Sequence, residues 1–302
     1  MAHDTALKAK PVEKLREDYR APEHEIEGLA LDFQLHEDHA RVRAELEVRR
    51  APGAAAGADF VLDGEELELL RVELDGSELS PADYRLEEER LVIPAPPERF
   101  RLVTEVRIKP QENTQLSGLY RSSEMFCTQC EAEGFRRITY FPDRPDVMTR
   151  YRVRVEADRG AYPVLLSNGN LVEEGEAGGG RHFAVWEDPF KKPSYLFALV
   201  AGDLGCIEDR FTTMSGREVR LLVWSEHENT DRLGHAMESL KNSMKWDEEV
   251  YGREYDLDVF NIVAVNDFNM GAMENKSLNV FNTAYVLAKA ETATDQDFDL
   301  VE

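Results

Sequence analysis

The sequence predicts a mainly β fold: an all-β saddle or sandwich over residues 1–203, followed by the start of an α/β region over residues 204–302. Three observations predict it. Between residues 24 and 201, apolar and polar residues alternate in short runs recurring about every ten residues, the period-two pattern of half-buried strands. Turn-forming sequences such as Asp75-Gly76-Ser77, Asn168-Gly169-Asn170 and Gly178-Gly179-Gly180 punctuate the runs. The period then changes: Leu233, Met237, Leu240 and Met244 are spaced by four, three and four, one face of a helix. A sheet-plus-helix region after an all-β region marks a new domain, and the boundary is placed near Gly202-Asp203.

Taken in order, residues 1 to about 20 are polar and charged, and read as an arm on the surface. Ile26, Leu29, Leu31, Phe33 and Leu35 precede the polar break His36-Glu37-Asp38-His39. Val42, Ala44, Leu46 and Val48 follow it, so the pair is a hairpin. Residues 51–58 are a loose Ala/Gly segment. Strands are expected over residues 67–74, 84–86, 91–93, 100–108 and 116–120, then over 151–155, 164–167, 182–186 and 195–201. Gly178-Gly179-Gly180 is a hairpin tip; no helix follows it, as a phosphate-binding loop would require. Beyond the boundary, strands are expected at 207–211 and 219–223, and a helix over 230–251 that stops at Gly252.

The 302 residues suffice for one large or two ordinary domains, and 42% hydrophobic residues supply a core. A net charge of −24 argues against nucleic acid and anionic membranes as partners, since both require a basic patch. The longest apolar run, residues 196–201, is far short of the roughly 18 residues of a membrane span. The first residues contain no apolar signal core, and three cysteines make no disulfide framework. These features predict a cytoplasmic protein.

The stretch Asp267-Phe268-Asn269-Met270-Gly271-Ala272-Met273-Glu274-Asn275 follows the apolar run 260–265, which reads as a buried strand. Gly271 and Ala272 allow another backbone to come close, and Glu274 stands just beyond them. Such an edge can hold an extended peptide and grip a cation at its end. Spacing alone favours the plainer reading, a strand, a glycine turn and a solvated glutamate.

Two other patterns invite a site reading. Cys127 and Cys130 have C-x-x-C spacing, but a zinc knuckle needs a second pair and a thioredoxin-type site needs a βαβ unit. His36 and His39 diverge if their segment is extended, and a solvated turn is the preferred reading. None of the seven histidines lies in His-Glu-x-x-His.

Gly271-Ala272-Met273-Glu274-Asn275 resembles the exopeptidase motif of the M1 family of zinc metallopeptidases. The stretches 127–135, 143–147 and 239–249 also resemble that family, in its bacterial aminopeptidase N branch, and the likeness runs from about Asp18 to the last residue. Ala272 sets the chain apart from the leukotriene-hydrolase-like relatives, where Gly is expected. The resemblance implies that the α/β region is the truncated start of a thermolysin-like catalytic domain. It also implies that Gln129, Glu131, Met270, Gly271, Ala272, Met273, Glu274 and Asn275 contact a peptide substrate with a free amino terminus. Glu131 and Glu274 would converge on the ammonium, the backbone at Gly271 and Ala272 would pair with the first residue, and Met270 would form a flexible apolar wall.

One departure matters. In the family, a zinc motif follows the exopeptidase motif by a few tens of residues, and residues 292–302 resemble the stretch leading to it. The expectation is therefore an amino-terminal part of a monomeric metalloaminopeptidase. Its Zn2+ ligands, general base and transition-state tyrosine would lie beyond Glu302, leaving no catalytic residue and no metal ligand within the chain. The alternative is a non-catalytic β-rich binding or interaction module.

Overall fold

The computed structural model describes residues 15–302, so the expected surface arm lies outside the described residues as far as residue 14. Residues 15–20 are exposed and carry a 3-10 turn, Arg16–Asp18.

The expected hairpin pairs His24–Leu35 with Ala40–Arg50, Leu35 facing Ala40 across the turn. A bulge between Ile26 and Gly28 explains why the buried series skips a residue before Leu29. The hairpin is the centre of an eight-stranded sheet. On one side lie Thr149–Asp158, Arg181–Lys192 and Asn170–Gly178; on the other lie Arg99–Ile108, Glu68–Leu74 and Ser77–Glu78. Only the pairing of His24–Leu35 with Thr149–Asp158 is parallel in this sheet. A four-stranded sheet runs Val164–Ser167, Leu199–Gly202, Met125–Gln129, Gly118–Ser122, and a three-stranded sheet runs Phe60–Asp63, Arg90–Ile93, Arg85–Glu87. Their inward faces share one apolar core. At its centre Phe135 meets Phe141 and Phe197 edge-on, each with ring centroids 5.2 Å apart.

Several expectations need correction. Phe60–Asp63, Met125–Gln129 and Asn170–Gly178 are strands that alternation does not reveal. All five residues of Met125–Gln129 are buried, while Asn170–Gly178 is an edge strand with no buried residue, so neither alternates. The run at 195–201 begins with a 3-10 turn, Ser194–Leu196, and becomes a strand only at Leu199–Gly202. The preferred reading of His36 to His39 as a turn holds, since the chain folds back and the His36 N–H donates to the His39 carbonyl; because it is not extended, the imidazoles stack with centroids 4.7 Å apart rather than diverge.

After Gly202 a five-stranded sheet is ordered Gly205–Thr212, Glu218–Ser225, Val259–Val265, Leu278–Asn282, Ala272–Met273. Its central strands are parallel. The crossover between the second and third is the helix α1, Gly234–Tyr251, shorter than expected because residues His227–Arg232 form a 3-10 turn. It ends, as expected, at Gly252 with φ +61°. Leu233, Met237, Leu240 and Met244 are all buried, with Val219, Leu221, Val223, Ile262 and Ala264 of the sheet. The opposite face of the sheet, including Leu222, Val263, Val265 and Val280, joins the core of the β-rich part. Val259–Val265 is therefore covered on both sides, which is why its sequence is apolar throughout except for Asn261. Trp246, Val250 and Tyr251 remain exposed on α1.

Candidate functional site

The Asp267–Asn275 stretch leaves the carboxyl end of the buried strand Val259–Val265 and returns as the two-residue strand Ala272–Met273. That strand is the edge of its sheet: Ala272 pairs with Phe281 and Met273 with Val280, and no strand lies beyond. Met273 is buried beneath the sheet, while Ala272 and Glu274 are exposed. A free row of backbone N–H and C=O groups beside an exposed carboxylate can receive an extended chain carrying a cation. A Cβ at Gly271 would lie 3.3 Å from the Tyr285 ring, so a larger residue there would require that ring to give way by a few tenths of an ångström. The Gly271 carbonyl accepts from the Asn282 N–H at 2.9 Å, which fixes the entry to the edge strand.

The β-rich part holds the stretch in place. The Tyr120 hydroxyl donates to the Asp267 carbonyl at 2.8 Å, and the Ser122 hydroxyl to Asp267 Oδ2 at 2.9 Å. The Asn269 side chain donates to the Leu116 carbonyl at 3.1 Å. Gln129, 1% exposed, donates from Nε2 to Met270 Sδ at 2.9 Å, and its Oε1 accepts from the Glu131 N–H at 3.2 Å. A single buried amide thus links the Glu131 segment to the motif. Among the described residues neither the Glu131 nor the Glu274 carboxylate has a hydrogen bond or ion pair. Asn275 is also buried, and neither end of its amide finds a partner among the described residues.

Glu131 borders a cavity of about 860 Å³ whose lining includes Asp143, Arg144, Pro145 and Asp146 and stops short of the motif. Apart from Glu131, its charged side chains are paired with one another. Arg136 Nε donates to Asp143 Oδ2 at 3.2 Å, and Arg144 grips Asp146 at 2.7 Å. Burial holds the Asp143 carboxyl above its ordinary range, although Ser194 and Arg136 donate to it.

Cys127 and Cys130 are both fully buried. Burial pushes the Cys127 thiol up to about 12 and the Cys130 thiol well above its ordinary value. Both act as core side chains, not as thiolates.

Comparison with known proteins supplies the family. The Peptidase M1 N-terminal domain matches residues 24–196, more than half of the chain, and the Peptidase family M1 domain matches residues 235–302. The chain belongs to the M1 peptidase family. Within that family it is 57% identical over 285 residues to aminopeptidase N of Caulobacter vibrioides, covering 94% of this chain and 33% of that protein. It is 52% identical over 289 residues to aminopeptidase N of Escherichia coli strain K12, covering 96% of this chain and 33% of that protein. The crystal structure of Legionella pneumophila aminopeptidase A in complex with aspartic acid superposes with a TM-score of 0.90 at 34% identity, covering 94% of this chain and 34% of that one. The chain thus spans about a third of the length of the M1 relatives it matches.

Tyr120 and Ser122 were not among the residues the sequence pointed to: each reaches Asp267 across about 145 residues of chain, and no local pattern announces such a contact.

Proposed function

We propose that this chain supplies the part of an aminopeptidase site that recognises the amino terminus of a peptide. The proposal takes Gln129, Glu131, Met270, Gly271, Ala272, Met273, Glu274 and Asn275 as its substrate-contacting residues. The observation that carries this reading is the edge strand Ala272–Met273, which ends in an exposed, unpaired Glu274 and is tied through Met270 and Gln129 to the Glu131 segment. An extended substrate would add to the free edge, and its ammonium would meet the carboxylates. A unit-charge pair at 4 Å is worth about 4 kcal/mol at an effective dielectric near 20, reduced by desolvation. That suffices to disfavour a blocked terminus, which leaves the carboxylates without a cation.

Among the described residues no group of three or more His, Cys, Asp or Glu side chains is placed to hold a metal ion. The contribution we assign to these residues is binding and orientation. In our reading the Zn2+ ligands and the catalytic groups lie beyond Glu302, in a protein that releases amino-terminal residues from peptides.

Three further parts of this reading concern organisation. The division into residues 1–203 and 204–302 is supported by the five-stranded sheet, which starts at Gly205 and pairs with no strand of the other three. We further read the protein as a cytoplasmic monomer; the net charge of −24 supports the absence of nucleic-acid and anionic-membrane partners. No helix among the described residues is long and apolar enough to cross a membrane.

The test is the complete reading frame and its product. A His-Glu-x-x-His sequence beyond Glu302, with hydrolysis of amino-acid anilides and none of their N-acetyl derivatives, is the expected result. A stop codon at Glu302, with equal binding of free and acetylated peptides by the chain, would transfer the assignment to a non-catalytic β-rich module.

A further inference from the structure

The exit from the motif is held as firmly as the entry, by a turn in the β-rich part. Asn168-Gly169-Asn170 joins the strand Val164–Ser167 of the four-stranded sheet to the edge strand Asn170–Gly178 of the eight-stranded sheet. It reaches across to the five-stranded sheet. Asn168 Nδ2 donates to the Lys276 carbonyl at 2.9 Å, and the Gly169 N–H donates to Ser277 Oγ at 2.6 Å. The Asn170 side chain donates from Nδ2 to Asp258 Oδ2 at 3.0 Å and accepts the Asp258 N–H at 2.9 Å.

Both partners are rigid. Asn168 is 1% exposed, and its amide is fully used, also donating to the Leu196 carbonyl and accepting from the Ala198 N–H. Gly169 has φ +95°, and a Cβ there would stand 2.1 Å from the Glu187 carbonyl oxygen, so the turn presses directly on the neighbouring strand. Ser277 is 1% exposed at φ +64°, a conformation that a non-glycine residue holds only where its surroundings impose it. Its carbonyl accepts from the Asn261 N–H at 2.8 Å, and the Asn261 side chain in turn accepts from Trp224 Nε1 at 2.9 Å. Ser277 is thus bound on one side to the β-rich turn and on the other to the buried strand of its own sheet.

Two residues separate Ser277 from Glu274, and the turn between them is closed by the Leu278 N–H donating to the Asn275 carbonyl at 3.0 Å. Since Ala272–Met273 is only two residues long and pairs with one neighbour, its own ladder cannot set its height. We propose that Ser277, gripped by the Asn168–Gly169 turn, is a positioning residue that sets where the edge strand and Glu274 stand relative to the β-rich part. This rests on the reading of the motif as the receptor of a substrate's amino terminus, and deepens it. The two carboxylates proposed to share one ammonium lie just beyond strands of different sheets. Their separation is then governed by contacts that cross between sheets: Gln129 to Met270 before the motif and Gly169 to Ser277 after it.

The test uses the 302-residue chain with Ser277→Ala, which keeps a Cβ at the strained φ and removes the hydroxyl, and Ser277→Gly, which relieves the φ and also removes the hydroxyl. Two readouts are needed. Binding of trialanine and N-acetyl-trialanine measures the preference for a free amine. Residue-resolved hydrogen exchange compares residues 271–275 with the eight-stranded sheet. Both variants are expected to lose roughly tenfold of the free-amine preference, with exchange rising at residues 271–275 and unchanged at Val42, Leu46 and Leu102. Retention of the full preference by a folded Ser277→Ala overturns the proposal. So does exchange that rises equally in both sheets, the mark of general destabilisation. If the wild-type chain binds both peptides alike, the amino-terminus reading fails. Exchange still decides the clamp in that case: a rise confined to residues 271–275 upholds it, and no rise there removes it.

Discussion

Gln129 Nε2 lies 2.9 Å from Met270 Sδ, so a buried amide of the β-rich part rests on the side chain that immediately precedes Gly271. The same amide orients the backbone of Glu131 through Oε1. Gln129→Leu keeps the volume and removes both contacts. Leaving the Glu131 N–H without its acceptor costs about 1–3 kcal/mol, read as a lower urea midpoint at unchanged slope. The chain should also bind free-amine peptides more weakly than this stability loss accounts for, as titration of the still-folded variant at low temperature will show.

Glu274 is exposed and unpaired, so its replacement should leave folding intact. In the complete gene product, Glu274→Gln is expected to lower kcat/KM for free-amine substrates by about 2 kcal/mol, roughly 30-fold, with the melting temperature unchanged. Glu131→Gln should act in the same direction, and the double variant should lose less than the sum, since both carboxylates serve one ammonium. Full kcat/KM in folded Glu274→Gln would sink the assignment.

A buried ion pair sits behind the clamp. Lys192 Nζ lies 3.1 Å from Asp188 Oδ2 and 3.7 Å from the centre of the Tyr151 ring, and both charged side chains are essentially inaccessible. Lys192→Met alone strands the Asp188 carboxylate and should cost about 3–5 kcal/mol, whereas Lys192→Met with Asp188→Leu should recover most of it. Urea denaturation of the four chains of this cycle provides the check.

The same pair makes stability depend on pH. Burial lowers the Lys192 ammonium to about 8 from its ordinary 10.5, against the pull of Asp188. Between those values the unfolded chain binds the proton more tightly than the folded one, so this group's contribution rises as pH climbs from about 8 toward 10.5 and is lost as pH falls back through 8. Wild type should gain stability over that window relative to the Lys192→Met, Asp188→Leu variant, which has no proton to release there. Equal slopes of urea midpoint against pH would refute it.

Cys127 and Cys130 should be unreactive in the native chain. Burial holds both thiols protonated, and neither is accessible. Alkylation at pH 8 is expected to modify only the half-buried Cys206 slowly, and all three cysteines once the chain is unfolded.

Where one face of a strand is buried and the other wet, the amino-acid order alone determined the structure. Ile26 to Val48 announced the central hairpin because the side-chain period of a strand is two, and a one-residue slip would put Phe33 and Leu46 into water. Leu233 to Met244 announced α1 through a period near 3.6. The motif itself was legible as well, since Gly271, Ala272 and Glu274 are consecutive residues whose sizes and charge can be read locally. Met125–Gln129, buried on both faces, and Asn170–Gly178, exposed on nearly all of its length, have no period to read. Only the tertiary structure decided what lies against what. The stacking of His36 on His39, the seat of Gln129 on Met270 and the grip of Gly169 on Ser277 are set by how the sheets pack. Burial compels each polar group to find a partner, but the identity of that partner depends on where the whole chain has already folded.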